Sequence, residues 1–391
     1  MKSLQEVAIH PVSAELIHKG HFWITEDSFT KRFPLDQTFL IGKHQGKKVC
    51  IFYHDPKHKT IKGRVWKLGD QFQFETEFDE RVSQAIKARN ALDKERDNHY
   101  LIFGEGDDLP GLFILKLKKC ILIQLFSTFW KPYLKTLVEK LKKNGVEFES
   151  VWIQERGIGE QKPPTHFEGL KENQFSLTEF GVNYHIDLAT YYDHGLYTDM
   201  AALRKKLSNE FKGKKVLNLY CYTGAISLFA LKQEASEVIS VDLSKPYLEW
   251  LEKNLHLNSD LDSKLHSSLN MSVQDGLRKL SKENHQFDLI LCDPPSASSD
   301  GKKITSALQE YENLLPQLIQ LLNPKGKLVS FLNTHHVSMA KFEGKMKSIL
   351  KEKGLEKSVK LNTHLGLTED CPTKKGFPEG SYLKGLLFTK A

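Results

Sequence analysis

Asp242, Asp275 and Asp293 each stand at or shortly after a short apolar run, and a further run leads into the turn Tyr222-Thr223-Gly224. A carboxylate in such a place can accept hydrogen bonds from hydroxyl or amino groups, pair with a cation or take up a proton. In Asp293-Pro294-Pro295 the prolines donate no backbone hydrogen bond and stiffen the chain. Their carbonyls are left free to face a planar group while the aspartate is held in place. One aspartate of this kind is more often a helix cap than a ligand. Three that follow successive runs point to one bound molecule.

The elements expected to position them start at residues 214–242, KKVLNLYCYTGAISLFALKQEASEVISVD. Residues 216–219 read as a strand, 225–231 as a helix and 238–241 as a second strand, so the ligand crevice lies at the carboxyl ends of the strands. The turn holds a single glycine, Gly224, where a dinucleotide fingerprint carries about three to approach a pyrophosphate. A nicotinamide oxidoreductase is therefore disfavoured. An adenosine ligand without phosphates asks for one close approach and one acid on the ribose, which describes S-adenosylmethionine. Asp242 is placed for the ribose hydroxyls, Asp275 for the adenine amino group, and Asp293 for the methionine ammonium or the substrate.

The alternation continues through the C-terminal half. Helices are expected at 200–211, at 246–258, after Asp275 and over Leu308, Tyr311, Leu315, Leu318 and Leu322; strands are expected at 271–273, 287–292, 327–332, 358–361 and 382–388. Such alternation argues an α/β doubly wound sheet covered on both faces. Residues 1–72 read as a small β-rich barrel and 73–178 as a separate α+β domain with helices near 80–94 and 130–143; the α/β domain takes 179–391. Between residues 43 and 67 eight basic residues face one acid, Asp55, and Phe52, Tyr53 and Trp66 are interleaved. Lys57, Lys59, Lys62 and Arg64 are the residues expected on RNA phosphates, with the aromatics stacking on bases; the competing reading is a solvated basic face. Glu105, Asp107 and Asp108 lie in a turn ending Leu-Pro-Gly, where acids satisfy turn amides, and are given no chemistry.

The chain has 391 residues and a net charge of +7, a mild lean toward a polyanionic partner. Its five cysteines are scattered with no CxxC spacing, and its sixteen histidines form no ligand pattern. Neither a disulfide framework nor a metal site is indicated. No apolar run reaches the about 18 residues of a membrane helix, and the first residues lack a signal-peptide core. A cytoplasmic location is expected; the sequence leaves a homodimer open.

Several stretches together resemble one family. Gly20-His21-Phe22-Trp23, GEGDDLPG at 104–111, LYTDMAALR at 196–204, VLNLYCYTG at 216–224, LILCDPPS at 289–296 and PEGSYLKGLLF at 378–388 are similar to motifs of the PUA-containing 23S ribosomal RNA large-subunit methyltransferases that act on cytosine at carbon 5. The resemblance covers nearly the whole chain. It implies a PUA-type RNA-binding barrel, an EEHEE-type central domain and a Rossmann-like class I methyltransferase domain. It also implies cofactor contacts at Asp199, Arg204, Asn218, Tyr220, Tyr222, Thr223, Gly224, Asp242, Leu243, Asp275, Gly276 and Asp293, with Asp293, Pro294 and Pro295 at the reacting centre.

The sequence departs from the family where the chemistry is decided. Carbon 5 of a pyrimidine becomes nucleophilic only after a thiolate adds to carbon 6. The family's cysteine sits in a Ser-Cys-Ser segment after the fifth strand; here the segment is Leu332-Asn333-Thr334. Asn333 cannot form that adduct. Met200 and Ala201 replace the usual Gln and Arg, and Ser296-Ala297 stands where an aromatic is usual after the prolines. Cys292 is the one thiol adjacent to the motif and a candidate for a displaced nucleophile, with Cys221 a second, but a cysteine in an apolar strand is more often inert packing. A nitrogen acceptor would need no thiol, only a proton acceptor such as Asp293. The alternative is a non-catalytic RNA-binding protein that retains the cofactor site.

Overall fold

The computed structural model describes residues 4–157, 159–299, 304–367 and 369–391. The chain forms two compact units. The first comprises Met1–Leu177, Asp187–His194 and Glu369–Gly380; the second comprises Thr178–Ile186, Gly195–Thr368 and Ser381–Ala391.

The first unit contains two five-stranded sheets. One runs Gln5–Ala8, Phe39–His44, Lys47–His54, Ile61–Leu68 and Trp23–Thr25 in spatial order, parallel at the first pair and antiparallel after it. The other runs Thr165–Gly169, Ser150–Glu155, Cys120–Leu125, Leu112–Leu117 and Asn98–Phe103. A single apolar cluster joins them: Phe39, Ile51, Tyr53 and Trp66 from the first sheet meet Leu112, Ile121 and Trp130 from the second segment. The helix Phe74–Lys87 presents Phe78, Val82 and Ile86 to that cluster at a spacing of four. It begins earlier than the expected 80–94 because Phe74 and Phe78 extend the apolar stripe toward the N-terminus.

The expected basic and aromatic patch is largely dismantled by this packing. Phe52, Tyr53 and Trp66 are all core residues, so they present no ring to a base. Arg64 is 2% exposed. Its guanidinium donates to Asp55 at 2.9 Å, to Glu105 at 3.0 Å and to the Phe126 carbonyl at 2.8 Å. It is thus an internal tie and not a phosphate contact. Lys57 and Lys59 remain exposed, while Lys62 is half-buried and donates to the His58 carbonyl. The turn acids are likewise structural: Glu105 also accepts from Trp23, Asp107 takes Arg89 in two bonds, and Asp108 takes Lys374.

The second unit is built on a seven-stranded sheet. In chain order its strands are β1 (Lys215–Leu219), β2 (Glu237–Asp242), β3 (His266–Asn270), β4 (Phe287–Cys292), β5 (Leu322–Asn333), β6 (Val359–Gly366) and β7 (Leu383–Lys390). Their spatial order is β3-β2-β1-β4-β5-β7-β6. The first five are parallel; β7 enters antiparallel between β5 and β6. The helices α1 (Ala225–Lys232), α2 (Lys245–His256), α3 (Val273–Lys282), α4 (Ala307–Gln320) and α5 (Met339–Glu352) intervene. Leu217, Leu219, Ile290 and Leu328 are buried in the sheet, and Leu314, Leu318 and Met346 pack from α4 and α5. The expected third strand at 271–273 lies instead at β3, whose His-Ser-Ser-Leu-Asn sequence lacks an apolar run because it is the sheet's edge. The expected helix over 200–211 is broken into a short helix, Ala201–Lys206, flanked by 3-10 turns.

Arg64→Ala should destabilise the first unit by about 3–5 kcal/mol, because Asp55 and Glu105 would lose the buried cation that both accept from. The denaturation midpoint followed by tryptophan fluorescence reads this; an unchanged midpoint would show that the triad contributes nothing to folding.

Candidate functional site

The site grows from the carboxyl ends of β1, β2, β4 and β5. After β1 the chain turns sharply, with Tyr220 at φ 56°, Tyr222 at φ 52° and Gly224 at φ 78°. Glycine is required at the last position: a Cβ there would lie 2.4 Å from the Leu251 side chain as well as suffer the left-handed backbone. The turn is held from below by Asp242, whose two carboxylate oxygens accept from the Tyr222 amide at 2.9 Å and the Ser244 amide at 2.8 Å. Burial raises the Asp242 pKa, against the pull of these amides. Each oxygen keeps a second lone pair, so the carboxylate retains acceptor capacity for a hydroxyl.

The turn also clamps Gly195. The Tyr222 hydroxyl accepts from its amide at 3.0 Å, and the Thr223 hydroxyl donates to its carbonyl at 2.6 Å. Beside Asp242, Leu243 is 66% exposed, and Asn270 holds its carbonyl. An apolar side chain left open next to an acid suits the flat face of a base. Gly276 lets α3 approach β2, where a Cβ would meet Val241 at 3.0 Å. Asp275 sits in the first turn of α3, exchanges hydrogen bonds with the capping Ser272 and pairs with Arg278. These contacts lower its pKa, and its side chain stays exposed.

Three of the expected cofactor residues have other occupations. The Arg204 guanidinium donates to both Glu179 oxygens, at 2.6 and 2.9 Å, and to the Tyr197 carbonyl, and both charged side chains are buried. It braces the segment before α1 and does not reach outward. Asn218 is buried under the turn and donates to Ser227, which continues through Ser240 to His266 in one polar relay. Tyr220 directs its hydroxyl to Glu310 of α4 at 2.6 Å.

The second half of the site is the corner shared by β4 and β5. The Tyr311 hydroxyl lies 2.9 Å from the Cys292 carbonyl and 2.7 Å from the Phe331 carbonyl, with its one proton between them. Asp293 follows at once. Burial raises its carboxyl to about 7, and the nearby Asp199 carboxylate adds to the rise. Pro294 is buried and Pro295 exposed. Ser296 then donates its hydroxyl to the Asn333 carbonyl at 2.6 Å. Asn333 is thereby brought against the Asp293-Pro294-Pro295 turn. Tyr382 donates to Asp199 at 2.7 Å, which adds the start of β7 to the group. Cys292 and Cys221 are both buried; burial pushes each thiol well above its ordinary range.

The sequence does not mark Tyr311 or Tyr382 as site residues. Tyr311 reads there as one apolar step of a helix, whereas a buried tyrosine hydroxyl must find an acceptor. Tyr382 lies in the motif at 378–388, but the link of β7 to β5 is not visible along the chain. Among the described residues no group of His, Cys, Asp or Glu could hold a metal ion.

A family model described as S-adenosylmethionine-dependent methyltransferase matches residues 161–345. Ribosomal RNA large subunit methyltransferase I of Vibrio cholerae is 29% identical over 384 residues, covering 94% of this chain and 95% of that protein. The Bacillus subtilis protein YwbD, provisionally named a ribosomal RNA large subunit methyltransferase, is 30% identical over 362 residues and covers 91% of each chain. Among solved structures, SMU.776, provisionally named a methyltransferase and crystallised with SAH, has a TM-score of 0.88 at 19% identity, covering 99% of this chain and 100% of that one. That last likeness is one of fold.

The Asp293 carboxyl gives a stability test. The folded state keeps this proton up to about pH 7, whereas an unfolded aspartate releases it near about 3.9. Folding stability attributable to this group is therefore lost as pH rises through that window. Asp293→Asn should flatten the parent's decline between about pH 4 and pH 7 and be the more stable protein at about pH 8. Denaturation midpoints measured across that range check this; identical slopes would mean that Asp293 titrates normally.

Proposed function

Because the chain belongs to the S-adenosylmethionine-dependent methyltransferase family, we propose that it carries the cofactor's methyl group to a base nitrogen of 23S ribosomal RNA. The second unit has the class I methyltransferase fold, and relatives in Vibrio cholerae and Bacillus subtilis carry large-subunit ribosomal RNA methyltransferase names. Such an enzyme works where ribosomes are assembled, in the cytoplasm. No described helix is long and apolar enough to cross a membrane.

The residues suit S-adenosylmethionine. The turn at Tyr222, Thr223 and Gly224 offers its backbone, Asp242 retains acceptor capacity for the ribose, and exposed Leu243 suits the adenine. Asp199 lies close enough to raise the Asp293 carboxyl, and Asp293 is assigned to the substrate rather than to the cofactor's ammonium. S-adenosylmethionine, when bound, supplies an electrophilic methyl carbon on a positively charged sulfur.

The observation that carries the choice of acceptor is the absence of a usable thiol beside a usable base. Asn333 stands at the nucleophile's position, and Cys292 and Cys221 are buried thiols held in their protonated form, whereas the thiolate is what attacks carbon. Asp293 is near half ionisation at neutral pH, where a carboxylate serves best as proton acceptor. A ring nitrogen or exocyclic amine attacks through its own lone pair. Asp293 would take the proton that the nitrogen releases on accepting the methyl group. The Pro294 and Pro295 carbonyls and the Ser296–Asn333 contact present the base. The first 72 residues serve as a PUA-like RNA-binding module and residues 73–178 as an EEHEE-type domain, with Lys57 and Lys59 left for phosphates.

The Cys221→Ala, Cys292→Ala double variant should keep its turnover on ribosomal RNA, and no covalent complex should form on 5-fluorocytosine RNA. Asp293→Ala should lose about 100-fold or more in kcat. A trapped adduct that disappears in the double variant would overturn the nitrogen acceptor. Separately, replacing Lys57 and Lys59 by Ala should reduce the slope of log affinity for RNA against log salt by about 0.7 to 0.9 per contact. An unchanged slope would return these lysines to a solvated face.

A further inference from the structure

The motif at 378–388 holds a residue that the site has so far left unused. Lys384 is the second residue of β7 and pairs with Leu332, next to the Asn333 position on β5. It is 4% exposed. Its ammonium donates to the Thr334 carbonyl at 2.7 Å and to the Tyr382 carbonyl at 2.9 Å. Among the described residues no carboxylate lies within ion-pair distance of it. A buried cation held only by carbonyls is a poor way to stabilise a fold, because an apolar side chain of similar volume would avoid the desolvation. That desolvation alone lowers its pKa to about 8.

The ammonium reinforces a junction that the backbone also makes, where the Thr334 amide donates to the Tyr382 carbonyl at 2.9 Å. Thr334 is the first residue beyond β5, immediately after Asn333, and Tyr382 is the last before β7. Tyr382 in turn donates its hydroxyl to Asp199, the carboxylate whose field reaches Asp293. Asn333 is held from its other side by Ser296. We infer that Lys384 is a positioning residue for the methyl transfer, tying the Asn333 corner to Tyr382 so that Asn333, Asp199 and Asp293 keep one geometry toward the acceptor base. The inference rests on the methyl-transfer reading above. A misplacement of about 1 Å at such a corner is enough to lower turnover by about two orders of magnitude while leaving the ribose and adenine contacts at Asp242 and Leu243 in place.

Lys384→Met keeps the apolar stem and removes both bonds; Tyr382→Phe removes the hydroxyl that donates to Asp199. Full-length variants, with Lys384→Arg as the conservative control, are compared for denaturation midpoint, for S-adenosylhomocysteine affinity by calorimetry, and for kcat and KM on ribosomal RNA. Lys384→Met should bind S-adenosylhomocysteine within about twofold of the parent and lose about 30-fold or more in kcat with little change in KM. Lys384→Arg should recover part of that loss, and Tyr382→Phe should lose about tenfold in kcat. Parent-like kcat in Lys384→Met overturns the inference, as does a parallel loss of kcat and cofactor affinity. Should Lys384→Met fail to fold, Tyr382→Phe decides, and parent-like kcat there overturns it. The methylated nucleoside made by the parent protein, identified by mass spectrometry, separates the two claims. A carbon-methylated product removes the nitrogen acceptor and leaves the Lys384 comparison standing.

Discussion

The corner where β4 and β5 end is held by the hydroxyl of Tyr311, placed between the carbonyls of Cys292 and Phe331. A buried carbonyl deprived of its donor costs about 1–3 kcal/mol, so this bond fixes the relative heights of the two strand ends. Asp293 is the next residue on one strand, and Leu332 and Asn333 are the next on the other. The Ser296–Asn333 bond, the Tyr382–Asp199 bond and the Lys384 ammonium all depend on those heights. Tyr311 reaches the corner because α4 carries Leu314, Leu315 and Leu318 into the same core.

The other half of the site is maintained by backbone strain and its compensation. Tyr220 and Tyr222 adopt a left-handed backbone, at about 1–2 kcal/mol each. Asp242 offsets part of this by accepting from the Tyr222 amide, and the Tyr222 hydroxyl accepts from Gly195. The turn is therefore rigid before any ligand arrives, which reduces the ordering that binding must supply.

Burial sorts the charged residues into separate roles. Arg64 and Arg204 are buried with carboxylates in good geometry, and they act as internal ties. Asp293 and Lys384 have no ion-pair partner among the described residues, and burial moves their pKa values toward neutrality. Groups of this second kind are the ones able to exchange a proton or respond to a substrate near pH 7.

The α/β alternation, the single-glycine turn and the Asp293-Pro294-Pro295 motif were legible in the chain, because each is a local pattern of residue types set by backbone geometry. The strand at β3 was not, since an edge strand needs no apolar run. Nor were the occupations of Arg64, Arg204, Phe52, Tyr53 and Trp66, because one-dimensional spacing does not tell whether a basic or aromatic side chain turns outward or into a core. The pairing of β7 with β5 joins residues some fifty positions apart, and no local signal marks it. Sequence alone therefore determined which chemistry the strand ends can offer. The tertiary structure decided which charges meet, which are left unpaired in low dielectric, and hence which of them can act on a substrate.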